Sequence, residues 1–360
     1  MVEFDARTWA LIAGFAIGLT FGAVGRWSAF CVRGAVEDAL FTPDAPRLRG
    51  YLLAAVLALA GTQALAASGL IDLGKTFYLP NPLQAGGTVL GGLLFGFGMV
   101  LAGGCGARLL VLAAGGNLRS LVTLLVMGLA AYATLRGVLA PMRTTLGGAT
   151  AIDLKTLGLA DQGLVSLISG SLGLSTGVAR GLLVAALALP ALAFIARRRV
   201  AARHLVGGAL IGLLVPAAFL ATGVVGADEF EPMALEGVTV TGPWASALVY
   251  ALTYTGASLD FGIAWVLGIP LGAAAVALLR GEARLEGFDG AATTGRYILG
   301  GLMMGVGGVL ATGCTIGQGL TGVSTLSLGS FLAFGALVAG GAWALRRRQR
   351  AVLLVAVPAE

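Results

Sequence analysis

The sequence predicts an all-α polytopic membrane protein with about nine transmembrane helices, short re-entrant half-helices and an inverted-repeat, pseudo-two-fold architecture. Three observations carry this prediction. Hydrophobic residues make up 58% of the 360 and charged residues only 11%, more apolar surface than a water-soluble fold of this length can hide. Nine apolar runs approach or reach the ~20 residues that a helix needs to cross a bilayer. One segment also occurs twice. GGLLFGFGMVLAGGC, from Gly91 to Cys105, returns as GGLMMGVGGVLATGC, from Gly300 to Cys314, without a gap and with ten of fifteen positions identical.

The runs lie roughly at 8–26, 50–69, 86–104, 118–139, 178–196, 204–223, 262–280, 295–312 and 327–345. The first follows MVEFDART, which lacks the basic start of a cleavable signal peptide, and closes at Arg26. The second lies between Arg49 and Asp72. The third is the first copy of the repeat, and the fourth follows Asn117, a cap or turn residue. The fifth ends on Arg197, Arg198 and Arg199, and the sixth opens at His204, an interfacial residue. The seventh opens at Asp260, which marks an interface, and ends at Arg280. The eighth is the second copy, and the ninth runs into Arg346, Arg347 and Arg348. Five pieces near 28–41, 105–116, 163–172, 244–256 and 315–323 are too short to span and read as re-entrant or surface helices. The 58 glycines fit close helix contacts and broken helices better than plain lipid-facing ones.

The arginines set the orientation. Clusters at Arg26, Arg33, Arg47 and Arg49, at Arg197–Arg203, at Arg280 and Arg284, and at Arg346–Arg350 share one side if nine spans are threaded. By the positive-inside rule that side is the cytoplasm, with the N-terminus outside and the C-terminus inside. The acidic stretch of Asp228, Glu229, Glu231 and Glu236 then lies outside, as do Asp72 and Asp153, with Arg136, Arg143 and Lys155 as exceptions. The two copies of the repeat therefore run in opposite directions. Residues 1–145 form a first half and 201–360 a second, inverted half, with 146–200, including the fifth span, as connector. Gly14, Gly18 and Gly22 match Gly208, Gly212 and Pro216 at the starts of the halves. Inverted repeats with broken helices are a transporter architecture, with the substrate held between the halves.

Each copy breaks at its cysteine, in Gly103-Gly104-Cys105-Gly106 and in Thr312-Gly313-Cys314-Thr315-Ile316-Gly317. A half-helix starting there aims its free N–H groups at the break, a natural anion site, and a thiol adds a polarisable contact with a weak S–H donor. Gly104, Gly106, Gly313 and Gly317 shape the breaks. Gln318 either hydrogen-bonds substrate oxygens or braces a helix contact. Arg108 either lends positive potential to an anion or snorkels to the membrane face. The third cysteine, Cys31 in GRWSAFCVRG, has no counterpart near Val224 in the second half. Thiols can equally be small packing residues. Three cysteines in apolar segments do not suggest a disulfide framework, and one histidine with no companion ligands argues against a metal. No cofactor is implied, no GxxxxGK[ST] run is present, and the +6 charge reflects loop arginines rather than nucleic-acid binding.

The segments ending in GGC and TGC, with SAFCVRG near the start, resemble the YeeE/YedE family of bacterial membrane proteins over nearly the full length. The resemblance implies an inner-membrane permease, not an enzyme, that takes up a sulfur compound, thiosulfate foremost. It implies that Cys31, Cys105 and Cys314 line the constriction of an hourglass-shaped interior and pass the ion by S–H contacts. It also implies a small cytoplasmic sulfur-carrier protein as a functional partner beside the lipid bilayer and the anion. Two alternatives stay open: a permease for another sulfur or selenium compound, and a membrane sulfurtransferase working through cysteine persulfides.

Overall fold

A computed structural model describes residues 5–157, 161–228, 233–288 and 290–356. Glu229 and Glu231, placed above in the outer acidic stretch, lie outside the described residues. The chain forms, in order, α1 (Ala6–Ser28), α2 (Val32–Phe41), α3 (Pro46–Ala67), α4 (Ala85–Leu101), α5 (Gly106–Ala114), α6 (Leu118–Leu135) and α7 (Ala140–Ala149). It continues as α8 (Leu164–Leu172), α9 (Thr176–Ala196), α10 (Ala202–Leu220), α11 (Thr241–Leu252), α12 (Phe261–Leu279), α13 (Ala291–Leu310) and α14 (Leu328–Ala356). A two-residue antiparallel pair, Leu83–Gln84 against Ala151–Ile152, is the extended pairing named among the described residues. The protein is an all-α polytopic membrane protein.

Polar caps fix several starts. Asp5 accepts the Thr8 N–H, Asn117 that of Ser120, Ser175 that of Val178 and Asp260 that of Ile263, each satisfying a donor that the first turn leaves open. Asp260, read above as an interfacial acid, is the cap of α12.

Eight stretches among the described residues are long and apolar enough, by length and composition, to cross a membrane. The remaining run of the nine is α13. It has the length, at 20 residues, but its first turns hold Thr293, Thr294 and Arg296 and it is rich in glycine, which dilutes its hydropathy. Its glycines serve close packing between α4 and α6 instead. The sequence reading also ran the fourth span to residue 139. The helix stops at Leu135, and α7 follows as a separate short helix with Pro141 in its first turn.

Glycine faces set the helix pairs. α1 lies along α12, and a methyl built on Gly18 would sit 2.0 Å from the Trp265 carbonyl oxygen. α10 lies along α3, and the same construction at Gly208 meets the Gly50 carbonyl oxygen at 2.0 Å. α4 packs on α14 and α13 on α6. Where α4 crosses α13 the contact is reciprocal: Gly91 approaches the Gly307 carbonyl and Gly307 the Gly91 carbonyl, each at 2.6 Å from the added carbon. Backbones this close exclude any side chain and maximise dispersion contact, which drives helix association in lipid.

The ends of the bundle are defined by polar contacts. At one end Arg7 donates to the Leu259 carbonyl beside Asp260. At the other, Arg26 pairs with Glu282, and Arg119 with Glu286. There too the α2–α3 turn is closed by a buried ion pair. Asp38, 2% exposed, accepts from the Arg47 N–H and from its guanidinium at 2.6–2.9 Å. α9 is peripheral, buried only at Ala179, packing on α3 and α8.

Candidate functional site

All three cysteines stand at the first residue after a helix break. α1 ends at Ser28, Ala29 turns into the left-handed region at φ 54°, and Cys31 is the extended residue from which α2 starts. α4 ends at Leu101, Gly103 turns at φ 78°, and Cys105 starts α5. α13 ends at Leu310, Thr312 turns at φ 52°, and Cys314 leads into the wide turn Gly317–Gly322. The backbone N–H three residues on, at Gly34, Arg108 and Gly317, is turned to each sulfur, at 3.4 Å for Gly317. A threonine at positive φ is strained. Here it is held by Gln318, whose Nε2 donates to the Ala311 carbonyl at 2.7 Å and to the Thr312 hydroxyl at 2.9 Å.

The thiols form two groups. Cys31 and Cys105 interact side chain to side chain, and Thr315 sits beside Cys105. They line a cavity of about 10 Å³ with Phe21, Phe30, Arg108 and Ile316. Cys314 faces Thr239, with Oγ1 3.8 Å from its Sγ. On that side opens a cavity of about 320 Å³, lined by Glu236, Thr239, Asp260, Arg143, Thr312 and Gly313 among others. Between the two cavities lie Cys314, Thr315 and Ile316, at most 1% exposed. The larger space opens toward the Asp260 end, and the smaller lies on the Arg26 side, where Gly25 accepts from Arg108 at 3.4 Å.

The other sequence-derived candidates fall around these groups. Gly104 lies against the Arg108 side chain and Gly106 against Met127. Gly317 admits no methyl, because the Thr239 hydroxyl would be 2.4 Å away. Gln318 is buried beside Cys314, its Oε1 without a hydrogen-bond partner among the described residues. Arg33 donates to the Gly103 carbonyl at 3.4 Å and pairs with Glu37. Among the described residues no group of three or more potential metal ligands occurs. At the large cavity, burial and, secondarily, the nearby Asp260 push the Glu236 carboxyl up to about 7.

Sequence reasoning missed Thr239. It sought the counterpart of Cys31 near Val224, whereas the connection from α10 to α11 is long and delivers Thr239, just before α11, to Cys314. A Thr-Gly-Pro start at residues 241–243 was the available signal. The Thr239 carbonyl accepts from the buried Trp265 indole at 2.7 Å. Trp265→Phe is expected to cost about 1–2 kcal/mol by leaving that carbonyl unpaired, read as a lower unfolding temperature in detergent.

Comparison with known proteins adds identity to this geometry. Over 340 residues the chain is 28% identical to the thiosulfate transporter TsuA of Spirochaeta thermophila, covering 93% of this chain and 99% of that protein. It is 26% identical over 325 residues to the thiosulfate transporter TsuA of Escherichia coli K12, covering 86% of each. The family model for sulphur transport matches residues 27–344, and the chain therefore belongs to that sulphur transport (YeeE/YedE) family.

Proposed function

We propose that the protein is an inner-membrane permease for thiosulfate, with the ion handed along Cys314, Cys105 and Cys31 and no bond made or broken. The observation that carries this is the placement of all three thiols at helix breaks, with Cys31 and Cys105 lining a narrow cavity and Cys314 between it and a wide one. Thiosulfate has two negative charges, oxygens that accept hydrogen bonds and one soft terminal sulfur. The N-termini of α2 and α5 start at Cys31 and Cys105 and favour negative charge there. Thiols suit the sulfur, and sulfate lacks that atom. In this reading Gly104, Gly106, Gly313 and Gly317 keep the breaks narrow, Gln318 secures the Thr312 turn, and Arg108 and Arg33 bring positive charge to the inner side.

The halves 1–145 and 201–360 are read as inverted copies joined by 146–200. Equivalent helix pairs support this: α1 with α12 answers α10 with α3, and α4 with α14 answers α13 with α6. The Asp260 end then faces outward. The exposed arginines at 197–199 and 346–348 face the cytoplasm, where a small sulfur-carrier protein would collect the ion. The test is uptake of radiolabelled thiosulfate by vesicles holding the purified protein, with sulfate, sulfite and selenite as competitors. Uptake that sulfate does not suppress supports the reading. Equal uptake of sulfate and thiosulfate would sink the thiol-based selectivity, and preference for another competitor would reassign the substrate.

A further inference from the structure

The wide cavity contains a feature that an anion path does not need: a carboxyl group at its wall. Glu236 is half-buried there and lies three residues before Thr239, the residue that touches Cys314. Its backbone is pinned at both ends by one side chain. The Glu236 N–H donates to the Thr222 hydroxyl at 3.2 Å, and that hydroxyl donates back to the Glu236 carbonyl at 2.9 Å. The backbone from which the carboxyl extends is thereby held at the cavity wall.

The charged and titratable groups around it come from several elements. Asp260, at the start of α12, lines the same cavity and has one oxygen fixed by the Ile263 N–H at 2.7 Å. Arg143 from α7 lines it too, but its guanidinium donates to the Thr134 and Leu135 carbonyls at 3.2 and 3.4 Å. Asp72, Lys75 and Asp228 border a neighbouring cavity with Leu235, on the far side of the segment. Tyr78, from the α3–α4 connection, lines an adjoining cavity with Thr312 and Gln318. Its hydroxyl is buried, has no hydrogen-bond partner among the described residues, and lies within electrostatic range of both Glu236 and Cys314. Among the described residues no basic group forms an ion pair with the Glu236 carboxylate.

Resting on the permease reading above, we propose that Glu236 is a proton-binding residue that controls admission of the anion to Cys314. Ionised, Glu236 and Asp260 present two negative charges to a dianion in a partly enclosed space, where repulsion is only weakly screened. Protonated, Glu236 removes one of those charges and supplies an O–H donor for an anion oxygen. Burial favours the protonated form up to near neutrality, so the control operates in the physiological range.

The experiment is the initial rate of thiosulfate uptake into vesicles, with equal pH on both sides, from about pH 5.5 to about pH 8.5. With a carboxyl titrating at about 7, the protonated fraction falls about thirtyfold across that range, and wild-type uptake is expected to fall with it. Glu236→Gln, uncharged at every pH, is expected to give a flat profile near the acid rate of the wild type. Glu236→Asp is expected to keep a pH dependence with a displaced midpoint, and it serves as the arm to read if the glutamine variant does not fold. A flat wild-type profile, or one unchanged in both variants, overturns this inference while leaving the permease standing. No thiosulfate uptake by the wild type at any pH overturns the permease reading and this inference together.

Discussion

Cys314→Ala is expected to lower the initial rate of thiosulfate uptake by about tenfold to a hundredfold, and Cys105→Ala by a similar factor. Each change removes an S–H donor that would face a dianion, and hydrogen bonds to charged groups contribute about 1.5–3 kcal/mol. The loss falls on uptake more than on folding. Alanine fits the space of Cys314, and what it abandons is a long contact to Thr239 and one to the Gly317 N–H. Serine at the same position keeps an O–H donor but replaces a soft atom by a hard one. Cys314→Ser is therefore expected to retain partial uptake with weaker discrimination against sulfate. Initial rates at matched protein content, with wild type and the three variants in the same vesicles, decide it. Rates within about twofold of wild type in both alanine variants would reduce the thiols to packing residues.

Gly18→Leu is expected to deplete folded protein from the membrane. The Trp265 carbonyl oxygen lies 2.0 Å from where the first side-chain carbon would stand, so even alanine forces α1 and α12 apart. Overpacking a tight core costs about 1–3 kcal/mol, and a displaced backbone contact sits at or above the top of that range. Gly181 on α9 is the control, because a methyl there meets nothing within 4 Å. Gly181→Ala is expected to leave the unfolding temperature unchanged, whereas Gly18→Ala lowers it and Gly18→Leu yields little monodisperse protein. Equal behaviour of the Gly18 and Gly181 variants would contradict the helix pairing described here. The damage should also reach the site, since α1 ends at the break before Cys31 and α12 carries the Trp265 indole that holds Thr239.

Much of this was legible in the sequence because bilayer and helix impose simple signals. Apolar length located the spanning helices, and a gap-free repeat singled out Cys105 and Cys314. Glycine spacing marked the faces that meet. The hidden part lies where those signals fade. The segment before α11 has neither apolar length nor helical period, yet it carries Glu236 and Thr239 to the wall of the wide cavity outside any helix or strand. Tyr78 likewise comes from the α3–α4 connection, between a single 3-10 turn at Leu73–Lys75 and the short strand Leu83–Gln84. α13 shows how packing alters the signal: glycine and threonine lower its hydropathy although it keeps a spanning length and packs between α4 and α6. Pro141 and the threonines after it gave no sign that α7 would form.

The narrowness of the smaller cavity has a consequence for the membrane as a whole. A space of about 10 Å³ is at the lower limit for a single water molecule, too small to hold a file of waters. Protons hop along such files, and small ions follow them. In the permease reading, a route closed in this way keeps the resting protein from discharging the membrane potential, however many copies the membrane holds. A permanently open pore wide enough for thiosulfate would short-circuit the same gradient.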